Sequence, residues 1–116
     1  MNQHTRAAKF PGHFALDLHG AFIRRTSLRR ANLTRANLER ADCRNVDFSD
    51  SNLSYANLSQ ADLTGAILKG CNLNGANFKG TILRSVDLTG VLNFTPEQLA
   101  EAVVDETTVL TTAKRV

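Results

Sequence analysis

The sequence predicts an all-β solenoid, and three observations predict it. A five-residue period runs without a gap from Leu16 to Gly90, as fifteen units covering 75 of the 116 residues. Each unit carries one large apolar residue, a mostly small residue two positions before it, and usually an Asp or Asn between them. Neither regular element accommodates that spacing. On an α-helix a five-residue step drifts by about 140° per unit and scatters the leucines around the circumference. In a flat strand the alternation at i and i+2 breaks once per unit. What fits is a short extended segment that points two side chains inward and then turns a corner. Such units bury their apolar side chains only by stacking on their neighbours.

The large residues, or centres, run Leu18, Ile23, Leu28, Leu33, Leu38, Cys43, Phe48, Leu53, Leu58, Leu63, Leu68, Leu73, Phe78, Leu83 and Leu88. The two residues after each centre are polar, charged or Gly and form the corner. Most units follow the form A-[D/N]-L-x-x, as in Ala31-Asn32-Leu33-Thr34-Arg35 and Ala36-Asn37-Leu38-Glu39-Arg40. These residues resemble the pentapeptide repeat family. The resemblance implies a right-handed quadrilateral parallel β-helix with four units per coil, so that residues twenty apart stack on one face. Fifteen units then make just under four coils. The implied inner columns are Leu18–Leu38–Leu58–Phe78, Ile23–Cys43–Leu63–Leu83, Leu28–Phe48–Leu68–Leu88 and Leu33–Leu53–Leu73.

Three units depart from the pattern by placing Phe22, Ile67 and Ile82 where Asp or Asn is usual. All three point outward, Phe22 and Ile82 on one face and Ile67 on an adjacent one, and are candidate contact points. Gly65, Gly70, Gly75, Gly80 and Gly90 hold the second corner position late in the chain, which predicts type II turns with positive φ. Arg25, Arg30, Arg35 and Arg40 hold it earlier, which predicts a different turn of negative φ, with the change between Tyr55 and Gly65.

Three segments follow from the period: residues 1–15 as an N-terminal plug or flexible segment, 16–92 as the repeat β-helix, and 93–116 as a C-terminal capping helix and tail. Phe10, Pro11-Gly12 and Phe14 suggest the plug. At the other end Asn93 falls where a centre should sit. Thr95-Pro96-Glu97-Gln98 then reads as a helix start, with Thr95 as N-cap, Pro96 first in the helix and Gln98 completing a capping box. Leu99, Ala102 and Val103 form the apolar stripe of a short helix ending near Asp105–Glu106. The family resemblance further implies pairing through the C-terminal end, with Leu99, Val103, Val109 and Leu110 at or near a dimer contact. The other reading makes the same four residues a cap on a monomer.

Charge is uneven. Residues 1–44 hold nine Lys/Arg and three Asp/Glu, a net +6, and residues 45–116 hold five and eight, a net −3. Arg25, Arg30, Arg35 and Arg40 ring one coil, with Arg24, Arg29 and Arg44 in the adjoining corner position. This belt of seven is the candidate anion- or partner-binding surface. The plain alternative is that corners tolerate long charged residues, with Arg30 over Asp50 as a surface ion pair.

No catalytic set emerges. The inner hydroxyls Thr26, Ser51 and Thr81 have no His at usable spacing, and the Gly run is a corner ladder with no phosphate-loop signature around it. His4, His13, His19 and Asp17 match no metal motif, and no cofactor is implied. The Asp/Asn ladder reads as local backbone hydrogen bonding. Cys43 and Cys71 fall on inner columns of different faces and should be buried and unpaired. No signal-peptide pattern or membrane-length apolar run is present, which points to a cytoplasmic location.

The sequence therefore leads to a non-enzymatic structural or protein-interaction module, a rigid β-helix adaptor. The alternative is electrostatic binding of nucleic acid, or another anionic surface, by the Arg-rich N-terminal coils through phosphate contacts. Members of the resembled family also include DNA mimics that act on type II topoisomerases. A pI near 9.2 argues against that role, because mimicry needs a strongly negative surface.

Overall fold

The computed structural model describes residues 15–110. Its backbone is a four-sided coil. Parallel bridges join middle residues twenty positions apart: Asp17 to Asn37, Phe22 to Asp42, Ser27 to Asp47 and Asn32 to Asn52, and on up the stack to Asn72 and Leu92, with Ile67 and Asp87 as the exception. Four units therefore make one turn, and the inner columns align as the twenty-residue register requires. Each rung is a single residue wide. Within it, the centre N–H donates to the next coil and the middle N–H to the previous one, as Leu53 N does to Asn72 O and Asn52 N to Ala31 O, both at 2.9 Å.

The core is one continuous column of side chains. Phe48, Phe78, Leu38, Leu53, Leu58, Leu63, Leu73 and Leu83 are fully buried, and the small residues Ala36, Ala56 and Ala61 fill the space between them. Leu18, Ile23 and Leu28 on the first coil are only partly covered.

Every corner is the same turn. The N–H of each new unit donates to the centre carbonyl behind it, as Ala41 N does to Leu38 O at 3.0 Å. The second corner residue is left-handed throughout: Arg25, Arg30, Arg35 and Arg40 have φ of 61°, 59°, 63° and 59°. Positive φ at the second corner residue and not the first is the type II signature. The expected change of turn type does not occur, because the quadrilateral needs the same corner whichever residue sits there.

The Asp/Asn ladder closes these corners. The Oδ1 of the middle residue accepts from the backbone N–H two residues on, as Asp47 does from Ser49 at 2.9 Å and Asn57 from Ser59 at 3.0 Å. Where Ser or Thr occupies the first corner, its hydroxyl adds a second bond, as in Ser54 to Asn52 and Thr64 to Asp62, both at 2.6 Å.

At the C-terminal end the corner arrives early. Asn93 takes φ of 61°, and Phe94 packs edge-on against Phe78 with centroids 5.0 Å apart. Helix α1, Pro96–Glu101, follows, with Thr95 as N-cap and the full capping box with Gln98. It stops earlier than the sequence suggests, at Glu101. The reason is Val103: its N–H donates to Thr81 O and its carbonyl accepts from Leu83, so the chain leaves the helix to add a rung. Val103 thus belongs to the ladder and not to the helix stripe. Val109 adds a second rung on Asp87. The expected plug residues Phe10, Pro11, Gly12 and Phe14, with His4, His13 and the last residues 111–116, lie outside the described chain.

Candidate functional site

The seven arginines of the belt sort by corner position. First-corner arginines reach the outward carboxylate eighteen residues on, in the neighbouring coil. Arg24 Nε meets Asp42 Oδ2 at 2.7 Å, Arg29 Nη1 meets Asp47 Oδ2 at 3.7 Å, and Arg44 Nε meets Asp62 Oδ2 at 3.8 Å. Arg44 also grips its own unit's Asp42 with two bonds of 2.9 Å. Asp42 therefore sits between two guanidiniums. The Arg44 hydrogen bond, and then that of Arg24, hold its carboxyl well below the usual range. These three arginines are engaged in stapling adjacent coils.

Second-corner arginines behave differently, because their left-handed backbone aims the side chain away from the next coil's middle residue. Arg40 turns to Glu39 at 3.2 Å, and Arg35 lies 5.3 Å over the Tyr55 ring. Arg25 and Arg30 are exposed and have no carboxylate within 4.0 Å among the described residues. The expected pair between Arg30 and Asp50 does not form. Phe22, on the same coil and three residues before Arg25, is 87% exposed on the outward side of its strand. Of the other apolar departures, Ile67 is exposed and Ile82 is half-buried between its ladder neighbours Asp62 and Val103.

The C-terminal candidates also divide. Leu99 packs on the core with Ala102 as part of the cap. Val103, Val109 and Leu110 remain exposed, with Leu92 and Val104, and form an apolar rim around the last coil.

The inner polar groups are occupied by structure. Thr81 Oγ1 donates to Leu58 O at 2.6 Å, Cys71 Sγ donates to Phe48 O at 3.0 Å, and Ser51 Oγ lies 3.4 Å from Cys71 Sγ. Thr26, by contrast, is exposed on the first coil. Both cysteines are free and buried. Burial pushes the Cys43 thiol up to about 12 and raises that of Cys71. Among the described residues no group of three or more His, Cys, Asp or Glu is placed to hold a metal, and no helix is long and apolar enough to cross a membrane. His19 Nδ1 lies 3.9 Å from Glu39 Oε1, not beside another ligand type.

One site was not legible beforehand. Between Ile67 and Asp87 the stack opens into a cavity of about 440 Å³, lined by Gly65 to Lys69 and by Ser85, Asp87, Thr89 and Gly90. The signal in the sequence is slight, an Ile at a position that otherwise takes Asp or Asn.

The Pentapeptide repeats family matches this chain in eight copies, over residues 16–50, 31–70 and 56–92. The chain belongs to the pentapeptide repeat family. Its fold is accordingly the right-handed quadrilateral β-helix of that family. Among solved structures, it is similar to the pentapeptide repeat protein Rfr23 of the cyanobacterium Cyanothece 51142. The two share 33% identity with a TM-score of 0.72, over 80% of this chain and 63% of that one. This pentapeptide repeat chain thus spans less than two thirds of that protein's length. A pentapeptide repeat protein of the Arabidopsis thaliana thylakoid lumen matches at 20% identity and TM-score 0.46, over 81% of this chain and 66% of its own. QnrB1, a plasmid-mediated fluoroquinolone resistance protein, matches at 19% and 0.46, over 83% and 70%. No curated protein matches by sequence. The pentapeptide repeat chain is a structural repeat module.

Proposed function

We propose that this pentapeptide repeat chain is a non-enzymatic protein-interaction module, a rigid β-helix adaptor that meets its partner through the first coil. The observation that carries this reading is the pair Arg25 and Arg30, exposed and free of carboxylates among the described residues while Arg24, Arg29, Arg40 and Arg44 are all engaged. Phe22, on the same coil, is 87% exposed. An exposed aromatic on one coil with guanidiniums that pair with no described carboxylate suits a protein surface bearing carboxylates, because aromatic and Arg side chains dominate interface energetics.

The same guanidiniums support a second reading, contact with nucleic acid or another anionic surface. Two or three free arginines release few counterions, so such binding would be weak and unspecific, and steeply lost with salt only in proportion to the phosphates touched. Self-association through the exposed rim of Leu92, Val103, Val109 and Leu110 is a further proposal, read by light scattering across a concentration series.

The test is a pull-down from host lysate, with and without nuclease. It uses the chain and a variant carrying Arg25→Ser, Arg30→Ser, Arg35→Ser and Arg40→Ser. A nuclease-resistant protein partner lost in the variant supports the adaptor. Capture abolished by nuclease moves the conclusion to nucleic acid. Identical capture by both baits removes the arginines from the function.

A further inference from the structure

The ladder has one break. In every bridged pair of middle residues both backbone bonds form, from Leu18 N to Asn37 O at the first coil to Leu88 N to Val109 O at the last. Ile67 and Asp87 stand in register for the next pair, yet no bridge joins them. Neither the bond from Leu68 N to Asp87 O nor that from Asp87 N to Ala66 O is made. The break is bracketed by intact corners. Gly65 N donates to Arg84 O at 3.0 Å on one side, and Gly70 N donates to Gly90 O at 2.9 Å on the other. That last bond marks the slip. From Gly20 to Gly65 the second corner bonds the residue nineteen on, but Gly70 reaches twenty on, and Gly80, at the cap, reaches Glu101. The strand through Asp87 is displaced by the slip, and its own turn is stretched, with Val91 N 3.5 Å from Leu88 O.

We propose that this opening is a binding slot for a primary carboxamide, carried either by a small molecule or by an Asn or Gln side chain. The slot faces its occupant with four backbone groups that have no partner among the described residues: Leu68 N–H and Ala66 C=O from one coil, Asp87 N–H and C=O from the next. Donors and acceptors are mixed on both walls. A carboxylate satisfies only the N–H groups and meets two carbonyls and the Asp87 side chain with like polarity. An ammonium satisfies only the carbonyls. A carboxamide donates and accepts from one planar group, and so pairs with both walls. Ala66 and Leu68 are buried, and unpaired buried backbone groups are costly, which gives an occupant that satisfies theirs a specific advantage. The intact corners at Gly65 and Gly70 prevent a continuous strand from threading through, so the occupant enters from the outward side. There Ile67, 48% exposed, offers an apolar wall for the rest of the ligand. The volume of about 440 Å³ suits a small ligand or one side chain with its neighbours. The slot lies on coils three and four, away from the basic first coil, and stands whether or not that coil binds a partner.

The test needs no variant. Amide exchange and backbone chemical shifts of the full chain are recorded by NMR, then followed during titration with isobutyramide, with isobutyrate, and with the acetylated tripeptides Gly-Gln-Gly and Gly-Glu-Gly bearing free carboxyl ends. The Leu68 and Asp87 amides should exchange at least tenfold faster than those of Leu53 and Asn52. They should move saturably with isobutyramide and not with isobutyrate. Tenfold tighter binding of the Gln peptide than of isobutyramide, with none by the Glu peptide, assigns the slot to a protein-borne amide. Equal or weaker peptide binding assigns it to a small molecule. Slow exchange at Leu68 and Asp87, no saturable shift, or equal shifts with isobutyrate overturns the proposal.

Discussion

The ring of Tyr55 lies where a Cβ on Gly75 would have to stand: such an atom would come within 2.5 Å of ring atoms Cδ1 and Cε1. Asn45 and Asp50 lean in the same way over Gly65 and Gly70, one coil on. The late glycines therefore make room for the corner side chains of the coil before them. Backbone conformation alone does not demand them, since Arg25 to Gln60 adopt the same left-handed φ with side chains attached. Gly20 has the same positive φ with open space around it. Gly20→Ala should cost only the left-handed penalty, about 1–2 kcal/mol. Gly75→Ala should add ~1–3 kcal/mol of overpacking. Tyr55→Ala in the Gly75→Ala background should recover that excess, a coupling measurable by urea denaturation of the four-member cycle.

The corner also shows how far the sequence could be read. The period marks the centres, while four units per coil, and with them the twenty-residue columns, rest on the family resemblance; Phe48 and Leu68 stack as expected. Thr95 and Gln98 were legible because a capping box is a local motif. The arginine corners were misjudged. Residue preference suggests negative φ at Arg25, but stacking in a closed quadrilateral overrides a penalty of about 1–2 kcal/mol per corner. The split of the arginine belt depends on which way each corner aims its side chain, and composition does not carry that. The break at Ile67 and Asp87, with Gly70 N bonded to Gly90 O beside it, is a tertiary feature that no local motif announces, since Ile82 holds the same position with its bridge intact.

Asp42 should make the stack sensitive to acid. Its carboxyl is held below the ordinary value by the Arg44 hydrogen bond and then by Arg24, so its folded value lies below its unfolded one, near 3.9. The stabilisation is therefore fully present above about pH 5 and is lost as pH falls through the folded value. Asp42→Asn retains an oxygen for the Arg44 N–H and removes the charge. Wild type should be the more stable at pH 7, and the gap between the two urea midpoints should begin to narrow below about pH 4 and go on narrowing as pH falls toward the folded value. A gap that stays constant from pH 7 to pH 3 would show that the ion pairs with Arg24 and Arg44 contribute nothing.

Cys43 and Cys71 provide a reporter of stack opening. Both side chains are buried with no exposed surface, and the thiolate is the reactive form. With the Cys43 thiol pushed up to about 12, almost no thiolate exists at neutral pH. Labelling by an aromatic disulfide reagent at pH 8 should be negligible in the native protein and complete in denaturant. Its rate across intermediate urea should follow global unfolding, and a subglobal phase at Cys71 alone would reveal separate opening of the later coils.

Gln98 joins the cap to the stack. Its Oε1 accepts from Thr95 N at 2.8 Å, and its Nε2 donates to Leu73 O at 2.8 Å and Ala76 O at 3.0 Å. Leu73 and Ala76 flank the corner at which helix α1 replaces the next rung; Leu73 O also accepts the corner bond from Ala76 N at 3.1 Å, whereas Ala76 O has no other partner among the described residues. Thr95→Ala removes one cap bond and should cost about 1 kcal/mol. Gln98→Ala releases the Thr95 N–H and leaves Ala76 O unpaired, while Leu73 O keeps its corner bond, and should cost more, about 2–3 kcal/mol. Gln98→Glu separates the two halves of this role, because a carboxylate still accepts from Thr95 but has no N–H for Leu73 and Ala76. It should fall at least as far as Gln98→Ala at pH 7, since it also turns a negative charge toward two carbonyl oxygens. Thermal unfolding of the three variants orders them, and a Gln98→Glu protein as stable as wild type would show that the helix cap alone holds this end of the stack.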